Sequence, residues 1–422
     1  MSHRLYYADP SLAVFDAHVS DIREVSRTQG RSLWQISLDR SAFYPTSGGQ
    51  PHDTGLLTAT SSGGAVLEAP VLAVEEDEQG EVWHTTQKPL LAGTAVRGYI
   101  DWSRRLDHMQ QHSGQHLLSA VVYRQLGVAT LSFHLGEMTS SIDLAREAIS
   151  PDELERVEDA VNEIIAENRV VTMRTISSGE ATMLLAAGTL HKLPDREGDI
   201  RLIEIDEIDL NACGGTHVRA TGEIGGLLIR GTERVRGGLR VEFVCGLRAV
   251  VTARRDLATL TRAATALSVG RLDLGEAVDR LLAENKAAHK AQQKLIEELA
   301  GYHAASLLLE QPLEEGGRLI RRTFTGHDAA YLKLLASRLT ASASQTCVLL
   351  AATQEEPARV VLAASADTKI DCGTLLREAL GVYGARGGGS AGMAQGQISN
   401  THLDALFDGL EDRLKKAGVL LK

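Results

Sequence analysis

Four cysteines in 422 residues, at positions 213, 245, 347 and 372, are too few and too scattered for a disulfide framework. A reducing compartment suits such a chain, and a zinc thiolate survives there. Aromatic residues make up only 4% of the sequence, so Leu, Val, Ile and Ala must fill the cores. No apolar run reaches the roughly eighteen residues of a membrane span. The stretch Met1 to Asp9 also lacks the apolar core of a secretion signal. A cytoplasmic protein without membrane contact is therefore expected. Positive charge is short as well: 44 Lys and Arg against 55 Asp and Glu leave a net charge of −11, which argues against indiscriminate nucleic-acid binding. Three motifs are missing. There is no G-x-x-x-x-G-K-[ST] phosphate loop, so ATP is not an expected partner. There is no Asp-His-His metal run, Asp107-His108-Met109 being the nearest approach. The His-Glu-x-x-His of zinc proteases fails because Ser113 follows His112.

What is present is a pair of metal-type spacings. His112 and His116 lie four apart in Gln111-His112-Ser113-Gly114-Gln115-His116, which on a helix stacks two imidazoles on one face. Cys213 and His217 repeat the spacing in Cys213-Gly214-Gly215-Thr216-His217. Either pair alone is weak, since the chain has 14 histidines. Together they offer three imidazoles and one thiolate from two elements about a hundred residues apart, a set suited to one Zn²⁺ per chain.

The length and the shifts of pattern divide the chain into four expected domains of α+β class. Residues 1–102 read as short strands closing a small β-barrel. Residues 103–246 read as helices on a largely antiparallel sheet and carry both metal motifs. The run Ser150-Pro151-Asp152-Glu153 is a helix start with a capping box. Residues 247–315 turn helical, and from Leu274 to Tyr302 the apolar positions step by four and three, with Asn285 and Gln292 weakening the seam. That pattern predicts a coiled-coil-like arm, a helical hairpin, or a long helix packed on its own chain. Residues 316–422 alternate strands and helices as a C-terminal α/β domain. A homodimer would form through 247–315 or through this last domain. Between Arg230 and Arg255 seven arginines form a locally basic segment, in which Arg234, Arg236 and Arg240 are candidates to meet phosphates, unless they are merely solvated.

The two metal motifs, with Ser41-Ala42-Phe43-Tyr44-Pro45-Thr46-Ser47-Gly48-Gly49-Gln50-Pro51 upstream, resemble the editing domain of alanyl-tRNA synthetase. They are still more similar to the freestanding alanyl-tRNA editing proteins of long form, and the similarity covers nearly the whole chain. The resemblance implies a trans-editing hydrolase that deacylates mischarged tRNA for alanine, with seryl- and glycyl-tRNA as its candidate substrates. It places Thr46 and Gln50 in the editing pocket, where they bear on substrate choice. The amino-acid activation portion of the synthetase has no counterpart. The glycine-rich run from Gly384 to Gly396 resembles the end of the DHH-associated domain, with Arg386 a candidate RNA contact. It departs from that pattern at Ser390-Ala391, where a basic residue and a proline are usual. The competing readings are a tRNA-binding protein with a structural zinc and no catalysis, and a zinc hydrolase of some other ester or amide.

Overall fold

Apolar residues alternate with polar ones along six strands near the N-terminus, and the apolar set turns inward. These are β1 (Val14–Thr28), β2 (Arg31–Leu38), β3 (Gly55–Thr60), β4 (Val66–Glu76), β5 (Val82–Thr86) and β6 (Ala95–Ile100). They close into a barrel in the order β1-β2-β5-β4-β3-β6, so no sheet edge is left open. Phe15, Val19, Ile36, Leu57, Val71 and Val96 fill it. The barrel predicted from the short alternating strands is present. The computed structural model describes residues 2–28, 31–61, 63–188, 190, 193, 198–314 and 316–419. By internal contacts the chain forms two units, 1–262 and 263–422.

After the barrel, α1 (Trp102–Leu126) starts at an Asp101 cap that accepts from the Arg104 amide, and it stops at Gly127 with a left-handed φ of 67°. Its middle is polar yet buried: Gln110, Gln111, His112, Ser113, Gln115 and His116 all lie inside. That polar stretch is held by specific partners, while Met109, Leu117, Leu118, Val121 and Val122 of the same helix join the apolar core. Strands β7 (Thr130–Leu135) and β8 (Ser140–Leu144) follow, then α2 (Pro151–Glu167) with the predicted capping box of Ser150 and Glu153. Next come β9 (Val171–Ile176), α3 (Ser178–Ala186), β10 (Ile200–Ile205), β11 (Asp209–Ala212), β12 (Leu227–Val235), β13 (Gly238–Cys245) and α4 (Gly246–Ala266). One antiparallel sheet runs β12-β13-β8-β7 and another β9-β10-β11. Leu117, Leu118, Val157, Val161, Ile203 and Phe243 share the core between helices and sheets.

In the second unit, α5 (Leu274–Glu310) is one continuous helix of 37 residues. Its last turns bury Ala300, Ala304 and Leu307 in a core with Tyr331, Leu332 and Leu335. Residues of the four-three repeat such as Leu281, Leu295 and Tyr302 are exposed. The remaining elements are β14 (Arg318–Phe324), α6 (Ala329–Ser342), β15 (Thr346–Ala352), β16 (Ala358–Ala364), α7 (Cys372–Gly381), β17 (Gly387–Gly389), β18 (Met393–Ile398) and α8 (Leu403–Lys416). They build a five-stranded sheet in the order β14-β15-β16-β18-β17, parallel only between β14 and β15. Strand β17 and the first part of β18 fall within the glycine-rich run and pair with each other. A Cβ at Gly389 would overlap backbone of Met393 and Ala394, and one at Gly387 would overlap the Leu380 side chain, so these glycines serve close packing within the chain itself. Among the described residues, no helix is long and apolar enough to cross a membrane.

Candidate metal centre and its cleft

The buried polar middle of α1 meets the turn that follows β11. His112, His116, Cys213 and His217 converge there, and one donor atom from each lies within 4.8 Å of every other. Cys213 Sγ is 3.4 Å from His112 Nε2 and 3.3 Å from His217 Nε2. A tetrahedral zinc with bonds of about 2.0 Å to nitrogen and 2.3 Å to sulfur requires an N–S edge of about 3.6 Å. The spacing fits.

A second ring of side chains fixes the imidazoles. His112 Nδ1 donates to Gln50 Oε1 at 2.8 Å. His116 Nδ1 faces the Asp209 carboxylate at 3.6 Å, and His217 Nδ1 faces Ser113 Oγ at 3.2 Å. With all three Nδ1 atoms engaged behind, the three Nε2 atoms are left to face one point with the sulfur, the orientation seen when histidines ligate a metal. Gln50 is fully buried and also clamps the turn: Oε1 accepts from the Thr216 amide at 3.0 Å, and Nε2 donates to Thr216 Oγ1 at 2.8 Å. Gly215 has to be glycine, because a Cβ there would overlap the His112 ring.

Electrostatics follow from this crowding. Burial alone would push the Cys213 thiol up, but the His112 and His217 imidazoles more than reverse that and hold it well below its ordinary value. Burial, with His112 beside it, lowers His217 to about 3. Burial also opposes a charge on His116, yet the Asp209 carboxylate and the Cys213 sulfur outweigh it and raise His116 to about 10. The donor set and its geometry suit a borderline-soft divalent cation.

Thr46 and Cys213 line the same cleft, of about 420 Å³, together with Tyr7, Tyr44, Arg201 and Gly214. Thr46 is exposed, with Oγ1 3.0 Å from His52 Nδ1. Its loop is braced from behind. Tyr44 Oη donates to the Ser47 carbonyl at 3.1 Å, and the Tyr44 amide donates to Asp53 Oδ2 at 2.6 Å. Asp53 is in turn gripped by Arg105 of α1, both side chains being fully buried, and Arg105 also donates to the Pro10 and Ala42 carbonyls. One buried ion pair thus ties the Thr46 loop to the helix that carries His112 and His116.

Of the predicted site residues, the structure gathers His112, His116, Cys213, His217 and Gln50 at one point and puts Thr46 on the adjoining wall. Gln50 stands behind His112. Arg240 is tied to Asp143, while Arg234 and Arg236 are exposed and carry no side-chain partner among the described residues. Arg386 is exposed in the second unit. Sequence reading missed Ser113, Asp209, Tyr7 and Arg201. Of these only Arg201 left a signal, a charge inside the apolar strand Ile200-Arg201-Leu202-Ile203.

Residues 200–241 match the family described as threonyl and alanyl tRNA synthetase second additional domain, and residues 317–416 match the DHHA1 domain. The alanyl-tRNA editing protein Aarsd1 of Bos taurus is 32% identical over 323 residues, covering 75% of this chain and 70% of that protein. The protein of the same name from Rattus norvegicus is 29% identical over 376 residues, 89% of this chain and 87% of that one. An alanine–tRNA ligase of Pyrococcus furiosus is 35% identical over 307 residues, but the chain spans only 31% of its length.

Proposed function

The chain belongs to the alanyl-tRNA editing protein family, and from that premise we propose that it is a trans-editing hydrolase acting on mischarged tRNA for alanine. The observation that carries this reading is the shared cleft, with Thr46 on its wall and Cys213 on its floor. A purely tRNA-binding module has no need of a specificity loop beside a metal site. Zinc, held by His112, His116, Cys213 and His217, would when bound act as a Lewis acid toward an ester carbonyl or water.

The chain's own residues account for selectivity. A seryl ester differs from an alanyl ester by one hydroxyl. Thr46 Oγ1, held by His52, retains hydrogen-bonding capacity for that hydroxyl. An alanyl ester leaves the capacity unmet, at a cost of about 1–3 kcal/mol. Glycine is smaller than alanine and is not sensed this way; its removal would require the wall to exclude alanine's methyl. The clamp from Arg105 through Asp53 to Tyr44 keeps the wall in register with the floor. Thr46→Val therefore lowers the ratio of seryl to alanyl deacylation about 5- to 100-fold, and an unchanged ratio would remove Thr46 from the account. Exposed Arg234 and Arg236 are the proposed phosphate contacts of the RNA body.

A second reading draws on the donor set itself. Four protein donors close a tetrahedron, and closed zinc sites are normally structural. Deacylation of seryl- and alanyl-tRNA by wild type and Cys213→Ala separates the two. Loss of serine alone, abolished in the variant, supports editing. No hydrolysis by a zinc-loaded wild type leaves a tRNA-binding protein with a structural metal.

A further inference from the structure

The turn that delivers Cys213 pairs four of the six backbone amides from 213 to 218. Cys213 N donates to the Arg201 carbonyl, Gly215 N to Cys213 Sγ, Thr216 N to Gln50 Oε1 and Val218 N to Ser113 Oγ. Gly214 and His217 are left without an amide partner among the described residues, and of these two only Gly214 lines the cleft.

Arg201 fixes where that amide points. Its Nη1 donates to the Cys213 carbonyl at 3.0 Å and to the Gly215 carbonyl at 2.7 Å. In a trans peptide the C=O and the following N–H point in opposite directions. Gripping the Cys213 oxygen therefore turns the Gly214 N–H away from Arg201. The same logic, applied one peptide pair further on, sends Thr216 N–H to Gln50, where the structure has it. Arg201 is itself buried, and no carboxylate pairs with it among the described residues, the Cys213 sulfur being the anionic group that favours its charge. Packing does not demand a glycine at 214: a Cβ there would meet only Tyr7 Oη, at 3.7 Å. A glycine that packing leaves unexplained, beside a cleft, is where a ligand comes close to the backbone.

We propose that the Gly214 amide, aimed by Arg201, donates a hydrogen bond to the ester carbonyl oxygen as it takes up negative charge during hydrolysis. Arg201 is then a positioning residue. This rests on the editing reading. In the reaction, water oxygen bonds to the ester carbonyl carbon and the carbonyl π pair moves onto oxygen. That pair returns as the bond to the ribose oxygen breaks, and the ribose oxygen leaves with the proton lost by the water. A preorganised N–H stabilises the charged oxygen without reorganising at the moment of reaction.

Gly214 has no left-handed φ, so alanine is unstrained there and keeps the N–H, whereas proline removes it. Zinc content, kcat and KM for seryl-tRNA are measured for Gly214→Ala and Gly214→Pro. Equal zinc with kcat for the proline variant about 10²–10³ below that of the alanine variant, at similar KM, is expected. Equal kcat in the two overturns the proposal, whereas a wild type that hydrolyses nothing overturns the editing reading instead. Should proline expel zinc, the wild type decides. The Gly214 amide proton, followed by NMR in glycine-labelled protein, moves downfield when a phosphonate analogue of 3′-seryladenosine binds. An unmoved resonance on saturation refutes the assignment. Arg201→Met, which removes both carbonyl contacts, lowers kcat more than KM with zinc retained; a fall in zinc occupancy with kcat per zinc unchanged would make Arg201 merely structural.

Discussion

Replacing Gln50 by alanine separates a metal-positioning role from a substrate-contacting one. The side chain is fully buried and makes three hydrogen bonds, to His112 Nδ1, to the Thr216 amide and to Thr216 Oγ1. Truncation leaves a ring N–H and a backbone N–H buried and unpaired, each costing about 1–3 kcal/mol. A loss of roughly 2–5 kcal/mol in the stability of this part of the fold is expected on that account. The consequence for metal is more specific. Without its partner the His112 ring is free to rotate and to change tautomer, and loss of such an outer contact typically weakens metal binding by about 10–100-fold. Gln50→Glu keeps both acceptor contacts and should retain most of the affinity. Competition against a chromophoric chelator, with apo-protein titrated by zinc, gives the affinity directly. Unaltered zinc affinity in Gln50→Ala, with a changed ratio of seryl to alanyl deacylation, would refute the reasoning and place Gln50 among the substrate contacts.

Two further outcomes concern stability. Arg105→Met strands the buried Asp53 carboxylate and two backbone carbonyls, so it should destabilise by about 3–5 kcal/mol, read as a fall of about 10 °C in melting temperature; a fall under about 2 °C would contradict the clamp. His84 is fully buried and neutral, between Ser41 Oγ at 2.7 Å and the Ile36 carbonyl at 2.9 Å, and burial lowers it to about 4. The unfolded chain takes up that proton at about pH 6.5 and the folded one only near pH 4, so stability is lost as pH falls through this window, by about 3 kcal/mol at its end. Denaturant titrations at pH 7 and pH 4.5 should show a smaller drop in His84→Gln than in wild type, and equal drops would exclude His84 as the source.

The His/Cys cluster was readable because each half carries its own four-residue spacing, one on a helix and one on a turn. The barrel was readable because its strands alternate and are bounded by turn residues. What lay beyond sequence was tertiary. Asp209, Ser113 and Tyr7 are ordinary polar residues until the fold sets them against His116, His217 and Arg201. Gln50 was assigned to the pocket from the family resemblance, and only the fold reveals that its amide is spent on His112 and Thr216. Likewise only the fold reveals what the glycine run from 384 lies against, a strand of its own chain at Met393–Ile398.

The polar interior of α1 also dictates when the metal site can come into being. Gln111 bonds the backbone of Cys245, 134 residues later, through both its amide atoms, beside a contact to Asp107 on its own helix, and Gln110 bonds the Glu223 carbonyl, 113 residues later. The helix therefore cannot settle into a dry environment while the chain is still short, because its amides would be stranded there. Closing loops of that length before any contact rewards them slows folding and puts the event late. On a ribosome the first two histidines would wait, solvated, until residue 245 has emerged. Capture of the proposed zinc would then report that the chain through residue 245 has come together, and a zinc-sensitive probe on the nascent chain would time it.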